Sequence, residues 1–145
     1  MALIKAISLW QPWASYIPEG IKYHETRSWY TSYIGDLLIC SAKKKSRDLA
    51  DYHDRIRSEY RLNMQGFYDL PFGEVVALVT MTDCIKMTTP FIVQQPPEEI
   101  ATGDWLVGRF AWKLENIRKP KRAIAVIGRQ GFFDVDVSLN DFEGN

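Results

Sequence analysis

The chain has 145 residues, 46% of them apolar or aromatic and 25% charged, which excludes disordered and fibrous classes and suits one domain burying about two-thirds of its unfolded surface. Its 18 basic and 18 acidic residues cancel, so total charge demands no polyanionic partner. Charge is unevenly placed, however: Arg118, Lys119, Lys121, Arg122 and Arg129 lie in a stretch without acids, and Asp134, Asp136, Asp141 and Glu143 lie in a tail without bases.

In chain order, Ala2–Leu9 alternates as a first strand, and Gln11-Pro12-Trp13 starts a short helix with Pro12 at its first position. Pro18-Glu19-Gly20 stops that helix. Residues 21–29 follow as a strand in which Ile21, Tyr23, Glu25, Arg27 and Trp29 share a face. Residues 36–42 form an apolar strand of the kind buried on both faces. Ser46 caps an amphipathic helix carrying Leu49, Tyr52, Ile56 and Tyr60 at helical spacing, fading near Asn63. Residues 73–86 are apolar and β-branched, the best long central strand. Residues 88–103 hold Pro90, Pro96 and Pro97 and read as a surface excursion with a helical turn near 98–101. Strands at 106–115, 123–127 and 130–137 complete the set. Strands this mixed, without long alternating βα units, predict an α+β fold: a small mixed barrel with two or three short helices inserted between its strands. All 145 residues are expected in one domain, with the acidic tail from about 134 peripheral.

Cys40 and Cys84 lie far apart in apolar runs, as reduced buried thiols do, which points to a cytoplasmic protein without disulfides or a zinc site. No apolar stretch is long enough to span a membrane, and the first residues do not read as a secretion signal. Metal and cofactor motifs are absent, so none is expected. The oligomeric state is not legible.

Five Trp, seven Tyr and seven Phe offer more ring surface than a small core needs, although aromatics dominate most cores. The sharpest local pattern is Gly20, Lys22, Glu25, Arg27 and Trp29. Gly20 permits a tight turn, Lys22 supplies a compact cation, Arg27 offers planar donors to phosphate or base edges, Glu25 orients Arg27 or accepts from an exocyclic amine, and Trp29 gives a stacking face. On spacing alone, an exposed strand with an ordinary ion pair explains the same residues better.

The run Ile7-Ser8-Leu9-Trp10-Gln11-Pro12-Trp13 followed by Gly20-x-Lys22-x-x-Glu25-Thr26-Arg27 closely resembles the ASCH domains of the PUA-like superfamily, bacterial and phage members above all. Further matches occur at Gly35 with residues 37–43, at Gly73-Glu74-Val75-Val76-Ala77, at residues 110–116 and at Gly128-Arg129-Gln130-Gly131-Phe132. The resemblance implies a PUA-like barrel with a cleft beside the Gly20–Trp29 strand, binding RNA, another nucleic acid or a nucleoside-sized ligand. Residues assigned to that cleft are Gln11, Trp13, Lys22, Glu25, Arg27, Trp29, Lys43, Asn116, Arg129 and Gln130. The basic run from Arg118 to Arg129 is expected to track a phosphate backbone. Some members resemble hydrolases, either amidohydrolases of N4-acylated cytidine or ribonucleases. On that alternative Lys22 is base or nucleophile and Glu25 its partner, but Glu25 stands where the amidohydrolase pattern has threonine, which favours binding over catalysis. His24 and His53 read as structural or surface residues. A protein-interaction domain is a third, blander reading.

Overall fold

The computed structural model describes residues 1–144. Strand β1 (Ala2–Leu9) leads to the short helix α1 (Trp13–Tyr16), then β2 (His24–Arg27), β3 (Gly35–Ser41), helix α2 (Arg47–Tyr60) and the long β4 (Val75–Lys86). Two further short helices, α3 (Thr89–Val93) and α4 (Pro97–Ala101), precede β5 (Phe110–Arg118) and β6 (Phe133–Val137). One mixed sheet holds all six strands in the order β2-β5-β4-β3-β1-β6. Only β1 and β3 run parallel; the other pairs are antiparallel.

The expected small mixed barrel is therefore met only in part. No ladder joins the end strands β2 and β6 among the described residues. The sheet instead curls until rings meet across the gap: Trp29, just after β2, packs edge-on against Phe132, just before β6, with centroids 5.7 Å apart. Alternation supplies the two cores. Ile7 and Leu9, Leu37 and Ile39, Val79 and Met81, and Trp112 and Leu114 form the inner cluster, while Ile4, Ala6, Leu38, Cys40 and Leu78 pack the outer face with Ile124 and Phe142. Leu37 through Cys40 are wholly inaccessible, as their unbroken apolar run predicts. Truncating Ile39 to alanine removes about 2–5 kcal/mol of stability.

Two devices fix the walls of the site. Ser46 caps α2, its Oγ accepting from Leu49 N at 3.2 Å, and Leu49, Ala50, His53 and Ile56 face inward. Residues 88–103, expected as a surface excursion, are instead anchored. Glu99 and Thr102 are fully buried, Trp105 Nε1 donates to the Glu99 carbonyl, and a Glu99 oxygen lies 2.8 Å from Nδ1 of His24. Anchoring buries the polar groups that a free loop would have left to water.

The remaining differences are local. The predicted strand at 123–127 is reduced to a single bridge, Glu74 to Ala125. The strand expected from Leu106 begins at Phe110, and the one expected from Gln130 begins at Phe133. The acidic tail supplies edge strand β6 and then folds back, burying Phe142.

Candidate ligand cleft

Gly20, at φ +77°, ends the α1 turn, and the amides of Ile21 and Lys22 both donate to the Tyr16 carbonyl at 3.0 and 3.1 Å. The chain thus stays wound around the end of α1, and the strand expected from Ile21 begins only at His24. Lys22 leaves strand alternation and enters the interior. It is 1% exposed, and its Nζ lies 3.9 Å from Oε1 of Glu25. Arg27, two residues along the same strand face, donates Nε to Oε2 of Glu25 at 2.9 Å. One carboxylate therefore lies between two cations.

Arg27 and Lys22 are not equivalent partners. Arg27 makes a true hydrogen bond and sets its guanidinium 5.9 Å from the centre of the Trp112 ring. The Lys22 amine has no hydrogen-bond partner among the described residues. Burial holds its pKa below the usual lysine value, and the charges of Glu25 and Glu99 only partly offset that effect. An unsatisfied buried donor is costly.

Lys22 lines a cavity of about 510 Å³, here called the inner chamber, together with Trp13, Tyr52, residues 101–104 and Arg109, where the Tyr52 hydroxyl donates to the Ala101 carbonyl at 2.7 Å. Trp13 and Tyr52 pack with centroids 5.2 Å apart. A second cavity of about 740 Å³, the outer chamber, is lined by Lys43, Gly73, Trp29 and the segment 126–131. Ser8, Trp10 and Arg27 line both, so the two adjoin along that wall. Trp10 is half exposed, and Lys44 Nζ lies 5.6 Å from its ring centre.

The sequence-predicted residues divide accordingly. Trp13, Lys22, Glu25 and Arg27 meet at the inner chamber, and Arg27, Trp29, Lys43, Arg129 and Gln130 at the outer one. Trp29 is also structural, packing edge-on against Trp112 at 4.8 Å. Gln11 is fully buried and spends its amide on Ser15 and the Pro71 carbonyl, both at 2.7 Å, so it braces the wall rather than facing the cleft. Asn116 lies outside both chambers, exposed and at φ +52° near the end of β5. The basic run also separates from the cleft. Arg118 pairs with Asp36 and Arg122 with Asp141, while Lys119 and Lys121 line a different cavity of about 490 Å³; only Arg129 reaches the outer chamber.

Both histidines are buried and bonded. His53 places Nε2 2.9 Å from the Gln65 carbonyl, which can only accept, so Nε2 carries the proton and Nδ1 accepts from the Tyr16 hydroxyl at 2.8 Å. Burial lowers the His53 pKa and pushes that of the Cys40 thiol up to about 12. Among the described residues no group of three His, Cys, Asp or Glu side chains converges as a metal site.

Sequence reasoning missed Trp10, Tyr52, residues 101–104 and Arg109. For Trp10 the signal was present, an aromatic residue directly after a strand end. For residues 101–104 there was none, because contacts such as Asp104 N to Thr26 Oγ1 at 3.0 Å span 78 positions.

The ASCH domain model matches residues 7–124. Activating signal cointegrator 1 of Homo sapiens and of Mus musculus are each 35% identical over 84 residues, 55% of this chain. The chain spans only 14% of the length of those relatives. With Lys22, Glu25 and Arg27 gathered at one cleft and the family model covering most of its length, this chain belongs to the ASCH domain family.

Proposed function

We infer that the cleft binds nucleic acid, RNA or another single-stranded form, by admitting one nucleotide at a time between Trp10, Trp13 and Tyr52 and the Lys22–Glu25–Arg27 set. The observation that carries this reading is the inner chamber itself. A nucleotide-sized cavity with aromatic walls has an unsatisfied buried donor beside a carboxylate, and a base edge presents an acceptor next to an amine in the same way. Stacking is worth about 1–3 kcal/mol per base. A duplex cannot offer an unstacked base, which favours single strands, loops or flipped nucleotides.

The test is a titration of the full chain with single-stranded RNA, duplex RNA and duplex DNA, followed by tryptophan fluorescence at two salt concentrations. Single strands are expected to bind most tightly and to weaken as salt rises. Equal binding to all three, unaffected by Trp10→Ala, refutes the reading.

One observation favours a second reading, a hydrolase of the modified-nucleoside or ribonuclease type. A buried amine with a depressed pKa sheds its proton more readily than an exposed lysine and can then act as a base. Lys22→Arg separates the two, since arginine keeps the charge and does not deprotonate. Turnover of an N4-acylcytidine or an RNA substrate that vanishes in this variant while binding persists establishes catalysis; absence of turnover in the parent chain removes it.

A further inference from the structure

The two chambers differ in how their charges are settled. In the inner one Arg27 is bonded to Glu25, Arg109 lies 3.6 Å from Asp104, and Lys22 lies beside Glu25. The outer chamber is lined by Arg27, Lys43 and Arg129 and by no carboxylate. Neither Lys43 nor Arg129 forms an ion pair among the described residues, and both are exposed.

The backbone of this chamber shows the same bias. Among the described residues no hydrogen bond is donated by the amides of Gly128, Arg129, Gln130 or Gly131. Gly131 sits at φ +67°, in the left-handed region that glycine adopts without strain. The Gly73 carbonyl accepts from Val126 N at 2.9 Å beside this segment, and a Cβ on Gly73 would lie 2.8 Å from Cε of Lys43, so its bare backbone leaves room for the lysine stem. Among the described residues, amides without an internal acceptor, two cations outside any ion pair and no lining acid together favour an anion there, beside the inner chamber across Arg27 and Trp10.

We propose that the cleft divides a nucleotide between its chambers, with the base in the inner chamber and its phosphate in the outer one, held by Lys43, Arg129 and the 128–131 amides. This rests on the base-binding reading above and adds the phosphate and its location. Arg27, common to both walls, lies where the two parts of the ligand meet. The same chemistry is offered by a free nucleoside monophosphate and by a phosphodiester within a strand.

The experiment titrates the full chain with the four common nucleosides, their 5′- and 3′-monophosphates, inorganic phosphate and a short single-stranded RNA. At least one monophosphate is expected to bind about tenfold or more tightly than its nucleoside. Inorganic phosphate is expected to compete with the nucleotide and not with the nucleoside. The double variant Lys43→Ala with Arg129→Ala, exposed at both positions and so safe for folding, is expected to abolish the increment while leaving nucleoside affinity intact. An oligomer tighter than the monophosphate marks a strand as the source, and equal affinity marks a free nucleotide. Nucleosides that bind as well as their monophosphates, or an increment that survives in the double variant, overturn the division and leave base binding standing. Failure of every nucleoside and nucleotide to bind defeats both.

Discussion

The inner and outer ends of the cleft handle positive charge in opposite ways. At the inner end Lys22 is carried into the interior by the winding of residues 20–23 around α1, and its desolvation is incurred during folding. At the outer end Lys43 and Arg129 stay in water, where their charge costs little and is screened by salt. A buried donor without a partner rewards one correctly shaped acceptor, so it selects. An exposed pair of cations rewards any nearby anion, so it captures. Affinity from the first end should depend on ligand shape, and from the second on ionic strength.

The sharpest way to break this contrast is Lys22→Met. If desolvation outweighs the attraction to Glu25, removing the charge leaves the Glu25–Arg27 bond intact and stabilises the fold by about 1 kcal/mol or more. Ligand affinity at the same time drops at least about tenfold on the base-binding reading, because the ligand's acceptor loses the buried amine. Denaturant midpoints and fluorescence titrations on the same samples report both. A variant that is less stable than the parent would mean that the ion pair, at 3.9 Å, outweighs its own desolvation, and the inner end would then be a structural salt bridge.

At the outer end the corresponding probe is Gly73→Ala. The new methyl meets the Lys43 stem at 2.8 Å and sits on a backbone at φ +70°, so a cost of about 1–2 kcal/mol is expected from strain, with the lysine displaced. Nucleoside binding should be untouched, and any gain from a phosphate should shrink. Loss of nucleoside binding as well would show that the two ends are not separable.

A smaller effect concerns the inner wall. Tyr52 faces the chamber from α2, and its neighbour His53 ties that helix to the Gln65 carbonyl. With its folded pKa below the unfolded value, His53 takes up a proton more readily when unfolded, so its contribution is complete above about pH 6.5 and is lost as pH falls through the lower folded value. Thermal midpoints between pH 7.5 and 5 should therefore fall, and His53→Gln should flatten that portion of the profile. Tyr16, Arg57 and Asp54 surround the ring but do not reverse the sign, because burial is the largest influence.

Much of this contrast was legible before the structure, for identifiable reasons. Alternation and apolar runs marked β1, β3 and β4, and Ser46 marked the start of α2, because those signals are local. The hallmark Gly20, Lys22, Glu25 and Arg27 was visible as a pattern, but its geometry was misjudged. Period-two alternation places Lys22 opposite Glu25, and only the hydrogen bonds to Tyr16 O cancel that parity. The inward turn of Gln11 has no local signal either, since its bond to the Pro71 carbonyl is a contact across 60 positions. Barrel closure was overestimated because ring packing between Trp29 and Phe132, rather than a ladder, brings the sheet ends together.

The smallest expected effect tests the assignment of capture to the outer end rather than to basic character in general. Lys119 and Lys121 belong to the same acid-free stretch as Arg129, and by sequence all three are equally good candidates for phosphate contact. The fold separates them: the two lysines line a cavity shared with Glu19 and Glu74, whereas Arg129 faces a wall without acids. The two carboxylates in that lining make the cavity less positive than the outer chamber, so a phosphate gains less there. Lys119→Ala with Lys121→Ala is therefore expected to leave both affinity and salt dependence unchanged, while Arg129→Ala lowers the salt slope of single-stranded RNA binding by about one. Equal loss of slope in the two variants would mean that the strand runs along the whole basic stretch, and that the outer chamber is one contact among several.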